Sequence, residues 1–437
     1  MINRKTIGII LLTTLLLFTV GTISCIQKVA AANSGYSAQL IGELGEASTV
    51  LIYSQIDATI KIPIPDDNMV PTADFITVPV STGAMGSGSF ISADGYIATA
   101  GHVVFSLTHT DITQDLYVKP LLVDASFSVL LTALQDAGYT VSDADQATLQ
   151  TYVDTYGTLQ DSLRMVYAIL GEVSPTLTNI QAKGWIARVV TVSPYIENDL
   201  AILKIERTNC PVLIVGDSGT VLTGDDVFMF GFPGVVTFHA ELGPETTLAP
   251  SMTRGIISQS RVTNGQTPCF QTDAAITHGN SGGAGLNSNG EIIGICSRGS
   301  LSDTGQEVAG FDFLIKSSAL KTMMTEAAVN NTQGPVDDHF LKGLQYYYDK
   351  HYSAAKTEFE TVTGLFDYHW RAEALIAECN TAIANGKDVP VSSGVDSWVL
   401  IVIVVVVIII VAVVAAMLFM KRRKGKAVLP PPPPPST

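Results

Sequence analysis

A serine in a glycine-rich turn is the first residue of this sequence that could carry out chemistry. Ser281 lies in ITHGNSGGAG, residues 276–285, where four glycines in ten residues favour backbone conformations with positive φ. A serine hydroxyl becomes a nucleophile only when a base removes its proton, a carboxylate orients the base and backbone N–H groups face the developing oxyanion. Without those partners, Ser281 would be a small residue in a flexible loop.

Two polar residues upstream of Ser281 could supply the base and the carboxylate. His102 follows the apolar stretch GYIATAG, and Asp199 precedes the apolar stretch LAILKI. Each residue alone would more often be structural. A histidine, an acid and a serine that each adjoin an apolar strand together meet the needs of nucleophilic acyl transfer, so they predict a Ser–His–Asp triad.

The stretches that position these residues have the pattern of β-strands. From Ser48 to Ile97 the chain alternates apolar runs with a turn at Ala93-Asp94-Gly95, and residues 185–316 continue as short apolar runs broken by Gly, Pro and Asp. Many short strands with glycine-rich turns are typical of a β-barrel or sandwich. The sequence therefore predicts a mainly β fold.

Residues 107–180 interrupt this pattern. Ser142 and Asp145 predict a helix-capping box. Apolar residues then recur every three or four positions, which predicts one face of a long helix: Leu149, Tyr152, Tyr156, Leu159, Leu163, Val166 and Leu170. We expect a mostly helical insertion whose ends start near the candidate site, either as a lid or assembly element or as a surface insertion without such a role.

Taken together, these motifs resemble the trypsin superfamily and, within it, the HtrA-type serine proteases. The likeness runs from Gly86 to Met324 and includes the segments GYIATAGHVV, NDLAILKI, TRGIISQSRV, QTDAAITHGNSGGAGL and GFDFLIKSSAL. The resemblance implies a chymotrypsin-like double β-barrel within residues 33–330. It also implies a serine endopeptidase that acts on polypeptides without a cofactor.

The resemblance assigns a role to each candidate residue. His102 would be the general base, Asp199 its orienting partner and Ser281 the nucleophile. The backbone N–H groups of Gly279 and Ser281 would form the oxyanion hole. Ala275, six positions before the nucleophile, would lie at the base of the substrate pocket, which implies cleavage after small or medium aliphatic residues.

Two positions near Ser281 depart from the family pattern. Ala284 stands where the family usually has proline, and His278 precedes Gly279 at a variable position, where we interpret it as a rim residue. Neither change touches a catalytic group.

The segment 335–385 predicts a small helical region. Gly343, Tyr346, Ala355 and Phe359 have the offsets of one tetratricopeptide-like repeat, with an ordinary helical hairpin as the alternative. One repeat cannot bury its own apolar face. It must therefore pack on the protease-like part, on the 107–180 insertion or on a partner.

The two ends of the chain predict targeting to a membrane. Residues 1–32 read as a signal peptide, with an uncleaved anchor or a lipid-modified Cys25 as alternatives. After a linker at 386–397, residues 398–420 carry no charge for 23 positions and precede a cluster of Lys and Arg, as in a transmembrane helix whose basic end is cytoplasmic. The tail, 421–437, is basic and then proline-rich, either a spacer or a docking ligand. This pattern predicts a single-pass protein of the cell membrane with its protease domain extracytoplasmic.

Charge and cysteine content limit the ligands and partners that this protein can bind. Residues 33–397 hold 17 basic and 40 acidic residues, a balance that excludes nucleic-acid binding. No cluster of His and Cys has metal-ligand spacing, so we expect no metal. Cys269 and Cys296 could form a disulfide, or could equally be buried thiols.

The sequence thus favours a membrane-anchored extracytoplasmic serine endopeptidase, whose task is left open between quality control of damaged proteins and cleavage of one dedicated substrate. The alternative is a catalytically silent or latent protease fold that binds protein partners, or another copy of itself, through its helical regions.

Overall fold

The computed structural model describes residues 36–66, 68–104, 118–171, 177–194, 197–237, 249–263, 265–301, 307–391 and 397–424. The chain divides into two compact units, Met1–Lys387 and Asp388–Thr437. The predicted signal peptide and the part of the tail beyond Lys424 lie outside the described residues.

The first unit begins with a seven-stranded antiparallel sheet in the order β5–β4–β1–β2–β3–β7–β6. Its strands are β1 Thr49–Pro65, β2 Pro71–Phe90, β3 Tyr96–Ala100, β4 Thr158–Ile169, β5 Trp185–Ile186, β6 Arg188–Val192 and β7 Leu200–Lys204. Only Ala187 separates the two edge strands, so the sheet curls until its edges meet. No pairing between β5 and β6 closes it within the described residues.

The second set of strands forms a closed barrel in the order β10–β13–β12–β11–β8–β9. Its strands are β8 Asp226–Gly231, β9 Ser251–Val262, β10 Pro268–Thr272, β11 Ala284–Leu286, β12 Ile292–Leu301 and β13 Glu307–Lys316. The mainly β prediction is confirmed. Of the two predicted barrels, the second is closed and the first is the curled sheet.

Helices cover and connect these strands. In chain order they are α1 Ala38–Ser48, α2 Gly101–Val104, α3 Val118–Asp136, α4 Asp143–Tyr156, α5 Leu177–Lys183, α6 Gly234–Thr237, α7 Ser317–Glu326, α8 Pro335–Tyr348, α9 Tyr352–Leu365, α10 Trp370–Ala384 and α11 Ser397–Lys424.

The insertion at 107–180 is only partly helical. Its capping box is confirmed, because Asp145 N donates to Ser142 Oγ at 3.2 Å and Ser142 N donates to Asp145 Oδ2 at 3.4 Å. The single long helix was wrong. α4 ends at Tyr156, and the residues expected to continue it, Leu159, Leu163 and Val166 among them, lie in β4.

Sheet pairing explains why the helical spacing failed. β4 pairs antiparallel with β1 from Lys61 to Leu51, which satisfies its backbone, and its last four residues, Val166–Ile169, are all buried. The helices α3 and α4 then cover one face of β1 and β2 through a cluster that includes Leu122, Tyr152, Ile60 and Val80. A role as a lid or assembly element stays a prediction.

Of the two alternatives for Cys269 and Cys296, the structure has buried thiols, because the four described cysteines are buried and form no disulfide. Cys269 lies on β10 and Cys296 on β12, and β13 runs between them. Two strand spacings of about 4.8 Å put their Cα atoms about 10 Å apart, beyond the reach of about 7 Å that a bridge tolerates. Burial raises the pKa of the Cys296 thiol well above its usual range.

The helices α8, α9 and α10 pack on the first sheet. Of the three surfaces that the sequence left open for them, this is the protease-like part of the chain. Phe340, Phe359 and Leu375 share one hydrophobic cluster with Phe90 and Ile97 of the sheet. Polar contacts reinforce this packing at the loop 210–215. There Val212 N donates to Asp337 Oδ1, and Asn331 bonds Ile91, Leu213 and Val215.

A charged cluster ties α1 to α10. The Arg371 guanidinium makes two hydrogen bonds with Glu43, one of them 2.8 Å from Nη2 to Oε1, and lies 3.8 Å from Glu46. Burial, together with the charge of Glu43, raises the pKa of Glu46 to about 7, although Arg371 opposes the shift.

The helix α11 belongs to the second unit. Among residues whose side chains the structure describes, no helix combines the length and apolar character needed to span a bilayer.

Candidate active site

His102 is placed by the junction of β3 with the short helix α2. β3 ends at Ala100, and Gly101 begins the turn into α2. A Cβ atom on Gly101 would lie 2.3 Å from the Ser193 carbonyl oxygen, so only glycine allows this close approach. The imidazole that follows is about one-third exposed, at 34%.

Asp199 holds the backbone and the ring of His102. Its Oδ1 accepts from His102 N at 2.7 Å, and its Oδ2 lies 2.9 Å from Nδ1. An ionised carboxylate only accepts hydrogen bonds, so Nδ1 is the protonated ring nitrogen and Nε2 carries the lone pair that a general base needs. Asp199 is fully buried and has φ of +48°, a left-handed conformation that is costly for a residue with a Cβ and typical of functional sites.

Ser297 is a site residue that the sequence reasoning missed. Its buried hydroxyl donates to Asp199 Oδ2 through a very short hydrogen bond. The carboxylate thus has three donors, two from His102 and one from Ser297, which hold its orientation. No motif in the sequence marks Ser297 as a site residue. It is identified only by the fold, which brings its hydroxyl to Asp199.

The turn around Ser281 requires its glycines. Gly279 and Gly282 have φ of +97° and +87°. A Cβ on Gly282 would lie 2.1 Å from the Ser87 carbonyl oxygen and 2.8 Å from Ala100 N, so this turn packs against the strand that leads to His102. The turn that carries Ser281 thus packs against Thr99 and Ala100, the residues that end β3 two to three positions before His102.

Two backbone N–H groups of this turn have directions that are fixed by the hydrogen bonds of the adjacent carbonyls. The N–H and C=O of a trans peptide point in opposite directions. Gly234 N donates to the His278 carbonyl at 2.7 Å, which directs the Gly279 N–H away from Gly234, and Gly283 N donates to the Asn280 carbonyl at 2.9 Å, which directs the Ser281 N–H away from Gly283.

Neither the Gly279 nor the Ser281 N–H has an acceptor within the described part of the chain. Ser87, also missed from the sequence, helps to fix the loop, because its hydroxyl donates to Gly279 O at 2.7 Å and accepts from Phe232 N at 2.9 Å. Two N–H groups without an acceptor, one of them on the serine itself, can stabilise an oxyanion.

Ala275, expected at the base of the substrate pocket, is exposed and flanked by buried Ala274 and Ile276. Its carbonyl accepts from Thr253 Oγ1 at 2.9 Å. The nearest acid along the chain is Asp273, whose Oδ1 accepts a hydrogen bond from Ile256 N at 2.7 Å. His278 is exposed, as its interpretation as a rim residue requires. No group of His, Cys, Asp and Glu among the described residues could hold a metal ion.

Comparison with known proteins agrees with this geometry. Residues 86–295, just under half of the chain, match the family described as "Trypsin-like peptidase domain". "Serine protease HTRA2, mitochondrial" of Drosophila willistoni is 33% identical over 144 residues, 31% of this chain and 29% of that protein. "Serine protease Do-like HtrB" of Bacillus subtilis (strain 168) is 35% identical over 154 residues, 34% of this chain and 30% of that protein.

The matched part is thus less than a third of the length of each of these relatives. Among solved structures, "HtrA-type protease AlgW with decapeptide" aligns over 67% of both chains with 21% identity and a TM-score of 0.38. The sequence matches thus show similarity to one family. Residues 86–295 match a trypsin-like peptidase domain, and the matched relatives are HtrA-type serine proteases.

Proposed function

We propose that this protein is a serine endopeptidase that cleaves polypeptides through an acyl-enzyme. The observation that carries the proposal is the paired contact of Asp199 with His102 N and Nδ1, beside a serine whose turn presents two free N–H groups. In this reading His102 is the base, Asp199 its positioning partner and Ser281 the nucleophile.

The groups present account for each bond change. His102 Nε2 takes the Ser281 hydroxyl proton as Oγ bonds the substrate carbonyl carbon, and the N–H groups of Gly279 and Ser281 hold the resulting oxyanion. The imidazolium gives its proton to the leaving amine as the C–N bond breaks. Water, activated by the same imidazole, then hydrolyses the ester and restores the Ser281 hydroxyl.

Substrate preference follows from the surroundings of Ala275. If Ala275 lies at the substrate pocket, as the family resemblance implies, a Lys or Arg side chain bound there would find no carboxylate at this position to pair with its charge. We therefore propose cleavage after small or medium aliphatic residues such as Val, Ala or Leu.

A fluorophosphonate probe and a peptide library test this proposal together. The probe should label the wild-type protein on Ser281, and Ser281→Ala should prevent labelling and lower kcat by on the order of 10⁶. Asp199→Asn should lower kcat by on the order of 10⁴, because the ring loses control of its tautomer. Absence of labelling would favour the silent or latent scaffold, and a library profile dominated by cuts after Lys or Arg would refute the pocket.

We also propose, from the sequence alone, that residues 398–420 anchor the protein in the cell membrane with the peptidase domain outside the cytoplasm. The task that we propose for the protein is protein quality control. The support for the anchor is the uncharged run of 23 residues followed by Lys421–Lys424. Release of the protein by alkaline extraction of membranes would refute the anchor. Identification of its natural substrates, with Ser281→Ala as control, would show whether they are damaged proteins.

A further inference from the structure

One short sequence motif lies outside both the candidate active site and the proposed anchor. Asn330-Asn331-Thr332 is the triplet Asn-X-Thr, with X other than proline, that accepts N-linked glycans. Of the 14 asparagines in the chain, Asn330 alone is followed two positions later by Ser or Thr. The other asparagines therefore serve as internal controls for a modification that requires this triplet.

The triplet lies in the loop between α7 and α8. α7 ends at Glu326 and α8 begins at Pro335, and residues 329–334 are neither helix nor strand. A segment whose backbone is not part of a helix or a sheet can be bound by a modifying enzyme without loss of secondary structure. Surface loops are accordingly where such modifications are found.

Side chains of this loop alternate between the protein interior and solvent. Val329 is buried and Asn331 is half-buried, whereas Asn330 and Thr332 are exposed. This is the alternation of an extended segment, in which successive side chains point to opposite sides. The two residues that define the triplet therefore lie on the same, solvent-facing side of the loop.

Asn331 fixes this orientation of the loop. Its Nδ2 donates to the carbonyl oxygens of Ile91 at 2.8 Å and Leu213 at 3.0 Å, and its Oδ1 accepts from Val215 N at 2.7 Å. An amide group has two N–H donors, and both donors of Asn331 are used in these contacts. Asn331 thus holds the loop to the peptidase domain and leaves Asn330 directed outward.

The side-chain nitrogen of Asn330 contacts the hydroxyl of its own triplet. Asn330 Nδ2 donates to Thr332 Oγ1 at 3.3 Å, and within the described residues its side chain makes no other hydrogen bond. The second hydrogen of this amide faces no acceptor in that part of the chain. A group bonded to Nδ2 in its place would break no contact of the fold.

We propose that Asn330 carries an N-linked glycan, transferred from a lipid-linked sugar donor at the outer side of the membrane. The inference rests on the extracytoplasmic location proposed above and is independent of catalysis. In the transfer, Asn330 Nδ2 bonds the anomeric carbon of the sugar and gives up one proton to a base of the transferase. The bond between that carbon and a phosphate oxygen of the lipid carrier breaks, and the oxygen keeps the electron pair, so no oxidant or reductant is needed.

A glycan at this position leaves the candidate active site open. β2 meets the catalytic turn at Ser87, whose N–H donates to the Ser281 carbonyl, whereas Asn331 bonds Ile91, just beyond the end of β2. Four residues of extended chain separate these two contacts by about 13 Å. We therefore expect cleavage of short peptides to be the same with and without the glycan.

Mass spectrometry of the protein purified from the membranes of its own organism tests the site. After proteolytic digestion, the peptide that contains Asn330 should carry a chain of sugar residues, and fragmentation should locate this chain on Asn330. Peptides with the exposed asparagines Asn68 and Asn289 should have unmodified masses. An Asn330 peptide found only in its unmodified form, or sugars located on a different residue, would overturn the inference.

Variants of the triplet give a matched comparison. Asn330→Gln keeps an amide but moves it by one methylene group, and Thr332→Ala removes the hydroxyl, so both should abolish the mass of the glycan. Thr332→Ser keeps the hydroxyl and should retain that mass. Each variant should still be labelled on Ser281 by the fluorophosphonate probe, which reports an intact fold. A glycan that persists in Asn330→Gln would contradict the assignment.

The orientation of the protein in the membrane separates the two ways in which the inference can fail. A membrane-impermeant amine reagent added to intact cells should label lysines of residues 33–397. Labelling of these lysines without a glycan on Asn330 would overturn the glycosylation alone. Absence of labelling would overturn the extracytoplasmic location and, with it, the glycosylation. Mass spectrometry of the unaltered protein decides the matter even if a variant does not fold.

Discussion

The cluster that ties α1 to α10 predicts that Glu46→Gln stabilises the protein at high pH. The pKa of Glu46 is raised from 4.5 to about 7, so between these values the folded protein binds more protons than the unfolded chain. Stability therefore falls as pH rises through this window, and above it the folded state carries the full cost of an ionised, partly buried carboxylate.

The size of the effect follows from the pKa and from the exposure of the side chain. At about 1.36 kcal/mol for each unit of pKa, a rise from 4.5 to about 7 corresponds to about 3.4 kcal/mol. Because the Glu46 side chain is 31% exposed, solvent screening reduces this figure, and we expect about 1.5 kcal/mol. A neutral glutamine avoids that cost.

Urea unfolding followed by far-UV circular dichroism measures the difference. Glu46→Gln should be about 1.5 kcal/mol more stable than wild type near pH 8.5, and the difference should shrink towards zero near pH 4.5. Glu43→Gln is the matched control with the opposite sign, because it removes the partner of two Arg371 hydrogen bonds and should cost about 2 kcal/mol at neutral pH. A Glu46→Gln variant that is less stable at high pH, or a difference that does not change with pH, would refute the reasoning.

Two further predictions concern Ser297 and the cysteines. Ser297→Ala should lower kcat by about ten-fold and leave KM nearly unchanged, because Asp199 loses a buried donor while the substrate contacts remain; unchanged kcat in steady-state assays would exclude this role. The four buried cysteines should react with a thiol reagent only on unfolding, and a reducing agent should leave Tm unchanged; a drop in Tm on reduction would show that two of them form a disulfide.

The candidate site was largely predictable because its signals are local. Short apolar runs with a polar residue at one end placed His102, Asp199 and Ser281 next to strands, and the strands formed where the composition indicated. Asp145 likewise capped its helix, because a capping box needs only four consecutive residues.

The errors came from interactions between distant segments. The spacing of Leu159 and Leu163 fits a helix, but pairing with β1, about a hundred residues earlier in the chain, made the segment a strand. Ser297 contributes to the site only because the barrel brings it to Asp199. The sequence left the state of Cys269 and Cys296 open, because the strand that separates them, β13, lies later in the sequence than either cysteine.

The shared cluster under the first sheet has a consequence for synthesis of the protein on the ribosome. That cluster joins Ala47 and Val50 near one end of the first unit to Leu375 and Cys379 near the other. The strands that carry His102 and Asp199 therefore leave the ribosome long before the helices that cover them. We expect the growing chain to expose an apolar sheet surface for most of its translation, and so to depend on a holding chaperone until residue 379 has emerged.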